Sequence, residues 1–185
     1  MGDLIYMTIQ SLDGYVADER GDFGWARPDE EVHAFINELT RVAPTQLYGR
    51  RMYQVMEVWE RPGQLGEMND VTRDFADIWQ AADKVVYSRT LDGVSTERTR
   101  LEREFDPEAV RALKESSETD LTVGGPNLAA AAFRAGLVNE MQTFLAPAIV
   151  GGGTASLPEG VRLDLELVEE RRFDGGMAYL RYRTR

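Results

Sequence analysis

The sequence predicts an α/β fold: a mixed but mostly parallel central sheet, flanked by helices and closed by an antiparallel C-terminal β-hairpin. Three observations lead there. Runs of β-forming residues alternate with apolar stripes at helical spacing as far as Ala146. Glycine or small hydroxyl residues follow directly on several of those runs, where a strand has to turn into a helix. Two further runs, Asp164–Phe173 and Met177–Thr184, are separated by Asp174-Gly175-Gly176, a hairpin turn.

Leu4–Ile9 (LIYMTI) is apolar and rich in β-formers, a buried strand ending at the turn Ser11-Leu12-Asp13-Gly14. From Asp29 to Val42 the residues Val32, Phe35, Ile36 and Leu39 recur at helical spacing, and Pro28, Asp29, Glu30 and Glu31 mark the start. Thr45–Tyr48 is a short strand running into Gly49, and Met52, Val55, Met56 and Trp59 give another helical stripe. Pro62–Asp70 reads as a loop. Val71, Phe75, Ile78, Trp79 and Ala82 form the next helix, and Lys84–Tyr87 the next strand. Asp106-Pro107-Glu108 opens a helix to Lys114. Asp120–Val123 is a strand followed at once by Gly124-Gly125-Pro126-Asn127 and an alanine-rich helix to Ala135; Met141–Ala146 is again a strand. Glu97–Glu104 (ERTRLERE) mixes both signs of charge and reads as a solvated segment. His33 falls on the polar side of its helix and reads as solvated, whereas Trp59 and Trp79 read as core.

A chain of 185 residues with 43% apolar content suits one domain, 1–185. Its 21 Lys+Arg against 32 Asp+Glu leave a net charge of −11, which argues against a nucleic-acid or anionic-membrane partner. The absence of cysteine removes disulfides, thiolate metal sites and any cysteine nucleophile. A single histidine leaves no candidates for a multi-histidine metal site or a Ser–His–Asp hydrolase, so no metal is expected. Met1–Gln10 carries Asp3 and no basic region, and no apolar run reaches membrane-span length, so a soluble cytoplasmic protein is expected. The chemistry then falls to a bound cofactor, or to carboxylates, tyrosines and backbone groups.

Three junctions carry the ligand signal, each at the carboxyl end of an expected strand, where open α/β sheets bind ligands. At Tyr48-Gly49-Arg50-Arg51 two arginines stand beside the free N–H groups of a new helix. At Tyr87-Ser88-Arg89-Thr90 two hydroxyls and a guanidinium follow a strand. At Val123-Gly124-Gly125-Pro126-Asn127-Leu128 paired glycines precede a helix whose Ala129–Ala132 run permits close packing. Each is weak alone. Together they favour an anionic dinucleotide, and the arginines at two of them point to the extra phosphate of NADP. No Gly-x-Gly-x-x-Gly follows the first strand, which excludes a standard Rossmann reading.

These residues also resemble a known family. Ser11-Leu12-Asp13-Gly14-Tyr15-Val16-Ala17, Gly49-Arg50-Arg51-Met52-Tyr53, Tyr87-Ser88-Arg89-Thr90-Leu91, Gly124-Gly125-Pro126-Asn127-Leu128, Gly136-Leu137-Val138-Asn139-Glu140 and Pro147 with Gly151-Gly152-Gly153 stand in one order. That order resembles the dihydrofolate reductase-like superfamily, especially the branch of the riboflavin-biosynthesis (RibD) C-terminal reductase domain. The resemblance implies an NADPH-dependent reductase of a small heterocycle, commonly a homodimer. It implies that Gly49, Arg50 and Arg51 hold cofactor phosphates, that Ser88, Arg89 and Thr90 lie near the adenosine 2′-phosphate, and that Gly124, Gly125, Asn127 and Leu128 take the pyrophosphate. Ala17 and Trp25 would flank the nicotinamide, and Gly152, Gly153 and Thr154 would close over the cofactor. Two positions depart from the pattern: Val123 stands where the riboflavin-pathway reductase has a carboxylate, and Met52 where dihydrofolate reductase usually has threonine.

Hydride transfer needs an electrophilic carbon held against the nicotinamide, a proton source and dry walls. Asp13 and Glu30 are the candidate proton sources. Trp25-Ala26-Arg27-Pro28-Asp29-Glu30 aligns with the Trp-x-x-Pro-x-acid segment of dihydrofolate reductase, which puts Glu30 on its substrate carboxylate. Plainer roles stand beside these: a turn-capping Asp13, and a Glu30 that merely favours a helix start. Tyr15, Tyr48 and Tyr53 are pocket or packing residues. A sensor that binds NADP(H) with little turnover is the alternative that Val123 supports.

Overall fold

The computed structural model describes residues 1–185, the side chain of Leu65 excepted. In chain order the elements are β1 (Leu4–Ser11), β2 (Tyr15–Ala17), α1 (Glu30–Arg41), β3 (Thr45–Gly49), α2 (Arg50–Met56) and α3 (Asp70–Ala81). There follow β4 (Asp83–Tyr87), β5 (Thr99–Glu102), α4 (Pro107–Ser116), β6 (Leu121–Gly124) and α5 (Pro126–Arg134). The chain ends with β7 (Glu140–Ala146), β8 (Thr154–Ala155), β9 (Leu165–Arg172) and β10 (Ala178–Thr184). The longer helices begin where the sequence supplies a cap. Asp29 accepts from Val32 N, Asn69 from Thr72 N and Asp106 from Glu108 N, each satisfying an N–H that the helix itself leaves free.

One eight-stranded sheet runs in the order β5-β4-β3-β6-β1-β7-β10-β9. Its pairings are parallel from β5 to β7, and β10 joins β7 and β9 antiparallel. The expected architecture is therefore found: a mixed, mostly parallel sheet flanked by helices and closed by an antiparallel terminal hairpin. Leu4, Leu47, Leu121 and Val123 have no exposed surface and face α4 and α5, packing with Val110, Ala129, Ala132 and Phe133. Each such buried side chain stabilises the fold by about 1.5–3 kcal/mol relative to an exposed one. On the other face α1 covers Phe144 and Tyr179, and Trp79 of α3 lies fully buried with Tyr48, Tyr53 and Phe75.

The hairpin is tied to the sheet by charge. Glu140, 1% exposed, accepts from Gln142 Nε2 at 2.7 Å and pairs with Arg181 at 2.9 Å. Arg183 stands 3.8 Å from the same carboxylate and 2.7 Å from Asp3.

Several expectations are corrected. The segment read as solvated contains β5, an edge strand whose Thr99 and Leu101 turn inward while Arg100 and Glu102 face water. β2 and β8, which the sequence did not announce, pair in a small second sheet. His33 is half-buried, its ring 5.3 Å from Phe75 and 6.2 Å from Trp59. The reason is that α1 packs on α3 as well as on the sheet: Asn37 donates to Val71 O and Asp74, and Arg41 pairs with Asp74. His33, Asn37 and Arg41 thus form a second stripe at four-residue spacing. Trp59 is half-buried against Phe75, at 4.8 Å, rather than fully in the core.

Candidate functional site

The parallel register brings the three glycine- and hydroxyl-bearing turns side by side. Tyr48 of β3 lies opposite Gly124 of β6, and Gly49 opposite Tyr87 of β4. α2 starts directly on Gly49, whose backbone is extended, and α5 on Gly125 with Pro126 at its first position. Both glycines of the pair are needed here. A Cβ on Gly124 would stand 2.9 Å from the Tyr48 ring, and one on Gly125 3.2 Å from Met52 Cβ. Gly125 also has φ +91° with ψ 130°, a sparsely populated conformation that costs an ordinary residue about 1–3 kcal/mol. Leu128 is buried beneath this turn, 7% exposed, whereas Asn127 is exposed.

At the end of β4, Ser88 is buried and its Oγ accepts from Thr90 N at 3.2 Å and Leu91 N at 3.1 Å, which shapes the turn. Arg50 Nη1 donates to Thr90 Oγ1 at 2.7 Å, joining two of the expected phosphate sites. Arg89 pairs with Glu104 at 3.0 Å. Arg103 donates to the carbonyls of Ser88 and Leu91. Sequence reasoning missed Arg103 and Glu104, because they reach this corner only through the parallel pairing of β5 with β4. The alternation in Thr99-Arg100-Leu101-Glu102 was the available signal.

The opposite wall is the segment after β1, fastened to the segment after β7. Leu12 N donates to Ala148 O and Ser156 N to Gly14 O, and Ala17 pairs with Thr154. Asp13 accepts from Val150 N at 3.2 Å and Gly151 N at 2.8 Å. A hydrogen bond from Ser11, and then those from Gly151 and Val150, hold its carboxyl below the ordinary carboxylate value. Gly153 approaches so closely that a Cβ there would lie 2.1 Å from Ala17 O, and a Cβ on Gly152 would lie 2.9 Å from Glu19 Oε1. A 680 Å³ cleft between these walls is lined by Asp18, Glu19, Arg20, Arg51, Gly153 and Thr154. Trp25 sits in a short 3-10 turn, half-buried against the cluster of Val32 and Phe144, with Nε1 donating to Asp22 O at 3.2 Å.

Of the three consecutive acids, two are occupied. Asp29 caps α1, and Glu31 accepts from Asp174 N at 3.1 Å and pairs with Arg171 at 3.2 Å. Glu30 is exposed and has no hydrogen-bond or ion-pair partner among the described residues. Burial holds the His33 imidazole below its ordinary value, with the Asp74 carboxylate opposing. Val123 points into the core between Leu121 and Leu128, so no acid occupies that position. The structure thus joins Gly49, Arg50, Ser88, Arg89, Thr90, Gly124, Gly125 and Leu128 at one sheet edge. It joins Ala17, Gly152, Gly153 and Thr154 with Arg51 at the neighbouring cleft. Asp13 and Glu30 contact neither group.

No helix is long and apolar enough to cross a membrane. The uncharacterized protein YyaP of Bacillus subtilis (strain 168) is 24% identical over 176 residues, covering 93% of this chain and 89% of that one. Among solved structures, a protein of Shewanella sp. PV-4 ascribed to riboflavin biosynthesis superposes with a TM-score of 0.77 at 18% identity, covering 99% of both chains. Dihydrofolate reductase from Enterococcus faecalis, complexed with NADP(H) and RAB-propyl, superposes with a TM-score of 0.65 at 14% identity. It is covered over 96% of its length and this chain over 99%. These likenesses are of fold. The family model described as RibD C-terminal domain matches residues 3–179, from the first strand into the last, and the chain belongs to that family.

Proposed function

We propose that this domain, residues 1–185, is an NADPH-dependent reductase that delivers hydride to a small heterocycle of pterin, folate or pyrimidine type. The observation that carries the reading is the convergence of three turns, Gly49–Arg51, Ser88–Thr90 and Gly124–Leu128, at one parallel sheet edge. The residues fit such a cofactor. Gly124 and Gly125 let their turn pack directly on Tyr48 and Met52 beside the start of α2, and Arg50, Arg89, Ser88 and Thr90 offer the donors a phosphate monoester requires. When bound, the cofactor supplies the hydride.

The chain's own residues do the rest. Arg50 and Arg51 bind phosphate, and Ser88, Arg89 and Thr90 receive the 2′-phosphate. Gly124, Gly125, Asn127 and Leu128 present backbone and side-chain donors to the pyrophosphate. Ala17, Gly152, Gly153 and Thr154 form the wall that excludes water from the nicotinamide, and Trp25 covers it from the α1 side. Glu30, the acid left unpartnered, holds a ring N–H of the heterocycle and passes the proton. Asp13, already accepting two backbone N–H groups, acts as the latch between the two loops.

Titration with NADPH, followed by NADPH oxidation with dihydrofolate and a panel of related heterocycles, tests the reading. Consumption with any of them, lowered at least tenfold in Glu30→Gln at unchanged NADPH affinity, supports it. Tight binding without consumption across the panel favours the second reading, an NADP(H)-binding sensor, which the apolar Val123 motivates. No NADPH binding defeats both. We also propose a cytoplasmic homodimer. The edge strand β9 exposes Leu165, Leu167 and Val168, at 37%, 47% and 47%, as a surface a second copy would cover. Sedimentation equilibrium as a monomer would rule the dimer out.

A further inference from the structure

We propose that Glu104 is a built-in counter-anion of the phosphate corner and sets how strongly the chain prefers NADPH over NADH. This rests on the reading of the site given above. β5 pairs with β4 so that Glu102 stands opposite Tyr87. Two residues beyond each, Glu104 and Arg89 meet at 3.0 Å, with side chains 71% and 77% exposed. Three guanidinium groups surround the Ser88–Leu91 turn, and their partners differ. Arg50 rests on the uncharged hydroxyl of Thr90, Arg103 braces the carbonyls of Ser88 and Leu91, and Arg89 faces a carboxylate.

An ion pair this exposed is weak and opens readily. A phosphate monoester carries about −1.5 to −2 charge at neutral pH, so it outcompetes a single carboxylate for Arg89. The exchange still has a cost. Glu104, displaced but anchored at the end of β5, stays close to the phosphate and repels it. A ribose 2′-hydroxyl carries no charge and feels neither effect. Glu104 therefore taxes NADPH and spares NADH, which restrains the preference that the three arginines create.

The test is calorimetric binding of NADPH, NADH, 2′,5′-ADP and 5′-ADP to wild type, Glu104→Gln, Arg89→Gln and the double variant. Glu104→Gln should tighten NADPH and 2′,5′-ADP by about threefold to tenfold. It should change NADH and 5′-ADP by less than about twofold. The gain should be smaller in the Arg89→Gln background, where only the direct repulsion by Glu104 is left to remove. Equal changes for both cofactors, or a gain just as large without Arg89, would overturn the proposal while leaving the reductase reading intact. A wild type that binds neither NADPH nor 2′,5′-ADP would overturn both. Glu104 lies at the surface, so the variant's melting temperature checks that the fold is retained.

Discussion

Substituting alanine at three glycines separates backbone strain from crowding at the proposed cofactor edge. Gly136→Ala carries strain alone: φ is +65° and nothing lies within 4 Å of the added Cβ, at the far end of α5. It should cost about 1–2 kcal/mol. Gly124→Ala carries crowding alone, with its Cβ 2.9 Å from the Tyr48 ring and 3.2 Å from Met52 Cγ, and should cost about 1–3 kcal/mol. Gly125→Ala carries both, φ +91° and a Cβ 3.2 Å from Met52 Cβ, and should cost about 2–5 kcal/mol. At about 2–4 °C per kcal/mol for a chain of this size, its melting temperature should fall by about 4–20 °C. The effect on NADPH differs in kind. Met52 belongs to α2, so pushing it displaces the helix start that presents Arg50 and Arg51. Gly124→Ala and Gly125→Ala should each weaken NADPH about tenfold or more, since sub-ångström shifts of binding groups are felt, whereas Gly136→Ala should bind like wild type. Thermal melts and fluorescence titration with NADPH measure both quantities. Comparable losses of affinity in Gly136→Ala and Gly125→Ala, or wild-type affinity in Gly125→Ala, would refute the assignment of the glycine pair to the cofactor.

Other perturbations follow from the same geometry. Replacing Arg50 and Arg89 together by alanine should weaken NADPH by about thirtyfold and NADH only slightly, and equal losses in a titration would argue against a 2′-phosphate site. Glu140→Ala leaves Arg181 and Arg183 facing one another without their shared carboxylate. Arg183 keeps Asp3 and Arg181 keeps Glu169, so the loss should be about 1–2 kcal/mol, a fall of about 2–8 °C in melting temperature, and an unchanged melt would show the hairpin is held otherwise. For His33 the folded value lies below the ordinary 6.5, so the unfolded chain takes up the proton first as pH falls. Its contribution to stability is therefore full above pH 6.5 and is lost as pH drops through the depressed folded value. Melting temperatures of wild type and His33→Gln between about pH 8 and pH 5 should diverge in acid, with the variant less sensitive; parallel curves would contradict this.

Much of the fold is legible because its signals are local. Asp29 and Val42 bracket α1 as cap and stop, and the glycine pair at 124–125 sits where the strand ends. What escaped depends on partners distant in sequence. β5 has four residues and one wet face, so Thr99–Glu102 looks like any charged surface segment until it pairs with β4. β2 and β8 pair across well over a hundred residues, and Asp13 finds its acceptor role only when Val150 and Gly151 arrive. His33 was misplaced because a helix packed on two neighbours buries a wider arc than its apolar stripe shows. The candidate site divides in the same way. Its backbone turns are visible in the sequence, whereas Arg103 and Glu104 enter through tertiary pairing.

Charge pairing across the whole chain bears on which anion that site admits. Carboxylates outnumber cations 32 to 21, and about half of the arginines have a carboxylate within reach, as Arg41, Arg98, Arg171 and Arg183 do. Among the described residues Arg20, Arg50, Arg51 and Arg103 have no such partner. The other unpaired arginines, Arg27, Arg61, Arg134, Arg162 and Arg172, come from five separate segments. The first four are linked. Arg103 and Arg50 reach the same Ser88–Leu91 turn, Arg51 follows Arg50, and Arg51 shares its cleft with Arg20. Like charges gathered in this way repel one another, and in an acidic chain it would be easy to neutralise them from within. Asp18 and Glu19 line the cleft of Arg20 and Arg51, whereas Arg50 and Arg103 at the Ser88–Leu91 turn face no carboxylate and favour an anion that touches both. The run of the four from the end of β4 across the start of α2 to the loop after β2 is short. A compact molecule with phosphates spaced along it matches that run, whereas a long polyanion would extend onto a surface whose net charge of −11 opposes it.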